Sequence, residues 1–432
     1  MRILIDGMNL ALSQGTGVAT YARNLSYCIR SCGHHLSVLY GRETPAHKDP
    51  LLREAAFFEG RVRDRTELEY YTDLVRSITP ERPVEIVRTG KVLREEIATS
   101  LPDADRFFNL RSLFFKASAK FEHTGGLLEV AFPEKIDIAH WTYPVPARVK
   151  GAKNIYTFHD LVPIKLPYTT LDVKSNYVRM LKKLARTADH VVTVSEVSKR
   201  DITEMLNVPA SKVSNTYQSV NIPAELLADS DRQIEINLEA ISPAGDGEKS
   251  ERRVRKDEFF LYVGAIEPKK NLKRIIEAYL ASGVQYPLVV VGRQAWQCKE
   301  EMALIGRGGD RIIYLDYVPF SQVITLMRSA RALVFASLYE GFGLPVLEAF
   351  LCGAPVITAA ASSTEEVAGD AALLVDPYDT REIRDAFRLL SDGESDALRR
   401  DLTARGLKRA EAFSQEAIAE RLDGFYRDLM AA

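Results

Sequence analysis

No stretch of this chain approaches the roughly 20 consecutive apolar residues that a membrane-crossing helix needs. The first residues, MRILIDGMNL, hold one short apolar run and no small-residue cleavage site, so they do not read as a secretory leader. Cysteine is scarce. Four in 432 residues make no disulfide framework and fit a reducing compartment. Cys28 and Cys32 stand one helical turn apart, a spacing a metal can use, but no second pair or nearby His motif completes a site. An excess of one charge is also missing. A net charge of -2 gives no broad positive field for nucleic acid. The expectation is a cytoplasmic protein, with peripheral contact at the inner face of a membrane left open.

What remains is ordinary globular material, 46% apolar and 27% charged, long enough for two domains. Short β-branched runs alternate with amphipathic stretches. Strands are expected at Arg2–Ile5, Leu36–Tyr40, Asp137–His140, Asn154–Phe158 and His190–Val194, then at Phe259–Val263, Leu288–Val291, Ile312–Leu315, Leu333–Phe335, Val356–Thr358 and Leu373–Val375. Continuous apolar strands between helices argue for parallel sheets covered on both faces. Two such series argue for an α/β protein with two Rossmann-like domains. Residues 224–257, polar and rich in both charges, read as a linker between a first domain at 1–223 and a second at 258–410. Its basic cluster Arg252, Arg253, Arg255 and Lys256 is flanked by acids, which favours a solvated linker over a nucleic-acid contact. Residues 411–432 read as a terminal helix. The segment Glu43–Glu134 is less regular. Its basic-aromatic part, Arg106 to Phe121, reads as a core-facing helix, with a membrane-surface helix as the alternative.

The most specific segment is SLYEGFGLPVLEAFLCG, residues 337–353. Glu340 and Glu348 stand eight positions apart, with Gly341-Phe342-Gly343 and Leu344-Pro345 between them. Glycines let backbone N–H groups approach an anion. Pro345 is placed as a first helical residue, so a helix should start here and aim its positive end at the loop. Phosphate binds at such termini. A carboxylate before the turn can accept from sugar hydroxyls, and a second, about two turns into the helix, from a ribose.

Other strand ends carry chemistry-bearing residues. Gly15-Thr16-Gly17 precedes a helix, but Thr20 breaks the G-x-G-x-x-G fingerprint. His159-Asp160 ends the strand NIYTF, where open α/β sheets place ligands. Ser195 or Ser198 is a candidate cap for the helix after VVTV. Lys269 and Lys270, in GAIEPKKN, can meet a diphosphate as it gains charge, and Arg293 follows the next strand. Two D-x-D strings, Asp103-Ala104-Asp105 and Asp229-Ser230-Asp231, follow no credible strand, and no metal site is expected.

These motifs together resemble the retaining, nucleotide-sugar-dependent glycosyltransferases of family 4, which have the GT-B fold with an interdomain cleft. The resemblance spans nearly all of the second half, and Gly15–Asn24 and Ala139–Asp201 of the first. It implies that Glu340 contacts the donor sugar and Glu348 the nucleotide ribose, with Phe342, Gly343 and Leu344 lending backbone donors. It implies catalytic parts for His159, Glu340 and Lys270, a close approach of Gly17 to the donor phosphates, and a base-holding loop at Tyr314–Pro319. Ser362–Val367, with the acid Glu366, resembles another element lining the cleft. Many relatives carry an arginine where this chain has Ala265, and Arg293 is the candidate to supply that charge. The last helix is expected to cross back onto the first domain. The GAIEPKKN string looks like the branch of bacterial mannosyl- and rhamnosyltransferases. That implies GDP-mannose as donor substrate, with a GDP-linked deoxysugar or a UDP-hexose as the alternatives, no separate cofactor, no metal, and a saccharide or lipid-linked saccharide acceptor in surface polysaccharide assembly. A GT-B sugar-nucleotide epimerase or phosphorylase and a non-catalytic saccharide-binding relative are the alternatives. A nicotinamide oxidoreductase would need the glycine fingerprint that the first loop lacks.

Overall fold

The computed structural model describes residues 1–11, 17–44, 47–59, 79–92, 102–169, 174–228, 235–243 and 248–432. The chain divides into two compact units. Unit 1 comprises Met1–Leu161, Asp172–Ser219 and Gln415–Ala432; unit 2 comprises Val162–Leu171 and Val220–Ser414.

Among the described residues the main sheet of unit 1 has eight strands. Across its width they are Val213–Asn215, His190–Thr193, Lys153–Thr157, Ile138–Trp141, Arg2–Asp6, His35–Tyr40, Arg106–Asn109 and Val84–Glu85. All neighbours pair in parallel except the last two. The strand order reverses at Arg2–Asp6, so the crevice for a ligand lies at the carboxyl ends of the central strands. Ile3, Ile5, Ile138, Ile155 and Val192 are fully buried, as parallel strands covered on both faces must be.

Among the described residues unit 2 holds a six-stranded, wholly parallel sheet in the order Ile312–Leu315, Leu288–Val291, Phe260–Val263, Ala332–Phe335, Val356–Ala359 and Leu373–Val375. This is the doubly wound order with its switch point between Phe260–Val263 and Ala332–Phe335. Phe260, Tyr262, Ile275, Tyr279, Leu288, Val334 and Phe387 form part of its core.

Three expectations are corrected. Residues 224–257 are no plain linker. The described part holds a helix, Ala224–Ala228, and an antiparallel hairpin, Glu235–Ile241 with Lys249–Arg255, inside unit 2. Charges at alternate positions hid a period-two pattern: Ile236, Leu238, Ala240 and Val254 are buried. Arg252 and Arg255 of the basic cluster bond Asp310 at 2.7 Å and Glu235 at 2.9 Å. Second, Arg106–Asn109 is a strand; the helix begins at Leu113. Phe107, Phe108, Leu113 and Phe121 are buried in the core, while Phe115 of the same segment is exposed. Third, the long segment of unit 2 runs from residue 220 to residue 414, not from 258 to 410. The final helix, Gln415–Ala431, packs within unit 1, as expected. There the Tyr426 hydroxyl meets His140 Nδ1 at 2.6 Å, and Cys28 and Cys32 donate weakly to the carbonyls of Gln415 and Ala419. Among the described residues no helix is long and apolar enough to cross a membrane.

One close approach shapes the carboxyl edge of unit 2. A Cβ on Gly292 would lie 1.8 Å from the Gly264 carbonyl oxygen. Glycine therefore lets the chain leaving Leu288–Val291 press on the loop after Val263. Gly292→Ala is expected to lower stability by at least about 2 kcal/mol, read as a shift of the urea midpoint at unchanged slope. An unchanged midpoint would refute this contact.

Candidate functional site

In unit 2 the two loops flanking the switch point supply the candidate residues. The first follows Phe260–Val263 and turns through a short 3-10 helix, Pro268–Lys270. Asn271 then sits at φ 61°, a conformation asparagine tolerates better than most residues. Its buried amide donates to the carbonyls of Ala336 at 2.9 Å and Pro377 at 2.7 Å. One side chain thus ties the lysine loop to the ends of two other segments. The Lys269 carbonyl accepts from the Leu338 amide at 2.8 Å.

The second loop follows Ala332–Phe335 and carries Glu340. Its carboxylate accepts from the Lys270 ammonium at 2.7 Å, with side-chain exposures of 11% and 15%. The ammonium also lies 4.9 Å from the Phe335 ring centroid. Burial pushes the Glu340 carboxyl up, but the charges of Lys270 and Lys269 and the Lys270 hydrogen bond outweigh it and hold the group below its usual range. Ser362 and Ser363 fix the backbone: the Glu340 amide donates to Ser362 Oγ at 3.2 Å, and Ser363 Oγ donates to the Glu340 carbonyl at 2.7 Å.

The helix opens at Leu344, with Pro345 in its first turn. Gly343 caps it at φ 113° and faces Thr364, whose Cγ2 would lie 3.3 Å from an added Cβ. Phe342 is buried edge-on against Phe413, centroids 5.7 Å apart. Because the helix runs Leu344–Leu351, Glu348 lies one turn in, not two. No hydrogen bond or ion pair reaches its carboxyl among the described residues, and burial alone pushes its pKa up to about 7. Arg293 is exposed and stacks over Tyr317, 4.7 Å from the centroid.

Unit 1 holds the other two candidates. Gly17 is the exposed first residue of the helix Gly17–Ser31; Gly15 and Thr16 lie outside the described residues. His159 follows the strand Lys153–Thr157. Its Nε2–H donates to the Thr142 carbonyl at 2.8 Å, leaving Nδ1 as the acceptor of a neutral ring. Thr142 donates through its amide and hydroxyl to buried Asp6, at 2.5 and 2.9 Å. Burial lowers the His159 pKa, with the Thr142 bond and Asp160 opposing it. Tyr21 meets the ring edge-on at 4.8 Å, and Ser198 Oγ donates to the His159 carbonyl at 2.9 Å. Ser195 is the cap of the following helix, its side chain accepting from the Ser198 amide.

Asn271, Asp6 and Thr142 were missed at the sequence level. An asparagine between a lysine pair and a helix is a readable turn signal, but nothing local links Asp6 to Thr142. Asp103 and Asp105 of the first D-x-D string are taken by Arg30, at 3.7 and 2.6 Å. The second string lies outside the described residues.

A family model described as Glycosyltransferase Family 4 matches residues 15–222, and one described as Glycosyl transferases group 1 matches residues 246–409. The O-antigen chain mannosyltransferase B of Escherichia coli is 32% identical over 279 residues, 63% of this chain and 69% of that protein. The chain belongs to the family 4 glycosyltransferases. A second Escherichia coli relative of this glycosyltransferase, the serotype-specific mannosyltransferase WbdA, is 28% identical over 305 residues; the match takes in 68% of this chain and 36% of that longer protein. Among solved structures, sucrose-phosphate synthase from Thermosynechococcus elongatus superposes with a TM-score of 0.63 at 19% identity, over 99% of each chain. That likeness shows the GT-B fold.

The Glu348 carboxyl generates a test with a fixed sign. Its folded pKa of about 7 exceeds the ordinary 4.5. Between those values the folded protein holds a proton that the unfolded chain has released, so this group's contribution falls as pH rises and levels off above about 7. Glu348→Gln is therefore expected to be more stable than wild type by about 1–3 kcal/mol near pH 8. The two should converge near pH 4, as read by denaturant titration. A difference independent of pH would contradict the assigned environment.

Proposed function

We propose that this glycosyltransferase moves mannose, with retention of configuration and without a metal ion, from GDP-mannose to a lipid-linked saccharide in surface polysaccharide synthesis. The observation that carries the reading is the Lys270–Glu340 pair at the switch point, set beside a helix start and an unpartnered carboxyl at Glu348. A cation, backbone N–H groups and two carboxylates are the set a nucleoside diphosphate sugar asks for. Lys270 meets the diphosphate, Glu340 accepts from the sugar hydroxyls, and Glu348 accepts from the ribose diol. Arg293 adds charge on the diphosphate side, in place of the arginine that Ala265 replaces. Gly17 and His159 are the ligand-contacting candidates of unit 1, His159 toward the acceptor hydroxyl.

Mannose as the sugar is supported by the names of both relatives. A saccharide chain as acceptor is supported by the O-antigen relative, and a lipid-linked acceptor places the reaction at a membrane face. In the reaction the bond from the sugar C1 to the diphosphate oxygen breaks and the bond from C1 to the acceptor oxygen forms on the same face. The acceptor's proton passes to the departing diphosphate. The Lys270 ammonium stabilises the charge that gathers there, the kind of prepared electrostatic contact that contributes most to such steps.

Glu340→Ala is expected to lower transfer from GDP-mannose by at least about 100-fold while leaving GDP affinity close to wild type. Product release and calorimetric GDP titration check the two halves. Equal loss of GDP binding would overturn the sugar-holding part assigned to Glu340.

A further inference from the structure

Unit 1 has a second cluster, at the carboxyl ends of Arg2–Asp6 and His35–Tyr40. The two strands run side by side, and the Gly7 amide donates to the Leu39 carbonyl at 2.8 Å. A Cβ on Gly7 would lie 2.5 Å from the Tyr40 ring, so the chain leaving the first strand lies flat on that ring. Tyr40 is 1% exposed, yet its hydroxyl has no hydrogen-bond partner among the described residues. Arg42 stacks beside it, its guanidinium 5.6 Å from the Tyr40 centroid and 4.7 Å from that of Phe57. One Arg42 nitrogen donates to the Phe57 carbonyl at 2.7 Å, and its backbone amide is tied to Asn109 Oδ1 at 2.8 Å. Arg23, on the helix Gly17–Ser31, lies near enough for its charge to act on the Tyr40 hydroxyl, as that of Arg42 does, and its Nε is buried and unpartnered among the described residues.

The cluster is rich in donors and short of acceptors. Among the described residues no carboxylate pairs with Arg23 or Arg42. Glu43, next in the chain, is taken by Arg111 at 3.1 Å and Ser112 at 2.6 Å. The contrast on the same helix is direct: Arg30 holds Asp105 at 2.6 Å. Guanidinium N–H groups donate and cannot accept, and a phenol can donate as well. Charge-assisted bonds to an oxyanion would satisfy them together. Strand carboxyl ends in an open α/β sheet are where a ligand enters.

We propose that Arg23, Tyr40 and Arg42 form an anion subsite that holds a phosphate group of the acceptor. Calling that anion the acceptor's rests on the glycosyltransferase reading above, in which unit 2 takes the donor. The shared chemistry is a phosphate oxyanion, borne by a soluble sugar phosphate or by the phosphate of a lipid carrier.

The test titrates the full-length protein, saturated with GDP, against mannose 1-phosphate in one arm and vesicles containing undecaprenyl phosphate in the other. Neutral methyl mannoside and vesicles of phosphatidylcholine alone are the blanks. At least one phosphate arm is expected to bind above its blank. Arg23→Gln with Arg42→Gln should weaken that binding by at least about tenfold, and Tyr40→Phe by about threefold, with GDP affinity unchanged. Which arm responds names the source of the phosphate. Wild-type affinity in the double variant, or no binding in either arm, overturns the subsite. If the double variant does not fold, judged by circular dichroism, Tyr40→Phe decides, because it removes one oxygen and keeps the ring. Failure of the wild type to bind GDP counts against the donor reading instead, and the two phosphate arms are then run without it.

Discussion

One lysine charge organises the second unit. Lys270 and Glu340 arrive from loops on either side of the switch point and meet at 2.7 Å, both mostly out of water. A buried pair of this kind is a poor device for stability, because taking two charges out of water offsets most of their attraction. Its physical effect is to keep a carboxylate ionised and an ammonium in place before any ligand arrives. The neighbouring carboxyl at Glu348 has no such partner and is pushed the opposite way. Two glutamates eight positions apart therefore meet opposite environments on one loop and helix.

The pair depends on backbone that ordinary residues do not adopt. Gly292 allows the contact with the Gly264 carbonyl, and Gly343 turns the chain into the helix at φ 113°. Asn271 and Ser362 take left-handed conformations at φ 61° and 56°. Asn271 then uses its amide to hold the Ala336 and Pro377 carbonyls, and Ser362 its hydroxyl to hold the Glu340 amide. Unit 1 solves a similar problem with side chains: Asp6 holds Thr142, and Thr142 holds His159.

Much of this was legible in the sequence. The strands Leu288–Val291, Ile312–Leu315 and Leu373–Val375 were read with the boundaries they have, because continuous apolar runs between helices leave little freedom. Arg106–Asn109 was misread because a basic residue beside two phenylalanines carries neither period clearly, and its strand character comes from pairing with His35–Tyr40. The hairpin was hidden because its outward positions hold most of the charge. At the site, Glu340, Glu348 and Lys270 stood out through their motifs, but their environments did not. The ion pair joins residues 70 positions apart, and the bond from Thr142 to Asp6 joins residues 136 apart. Such contacts follow from topology, and local spacing does not encode them.

The central claim is that unit 2 binds a nucleotide sugar by its own charges. The most direct measurement is calorimetric titration of the purified protein with GDP-mannose in EDTA, beside GDP-fucose, UDP-glucose, UDP-N-acetylglucosamine and dTDP-rhamnose. The account predicts saturable one-site binding of GDP-mannose without metal, weaker for the others. Binding of no donor in EDTA, or binding that returns when Mg²⁺ is restored, would contradict it.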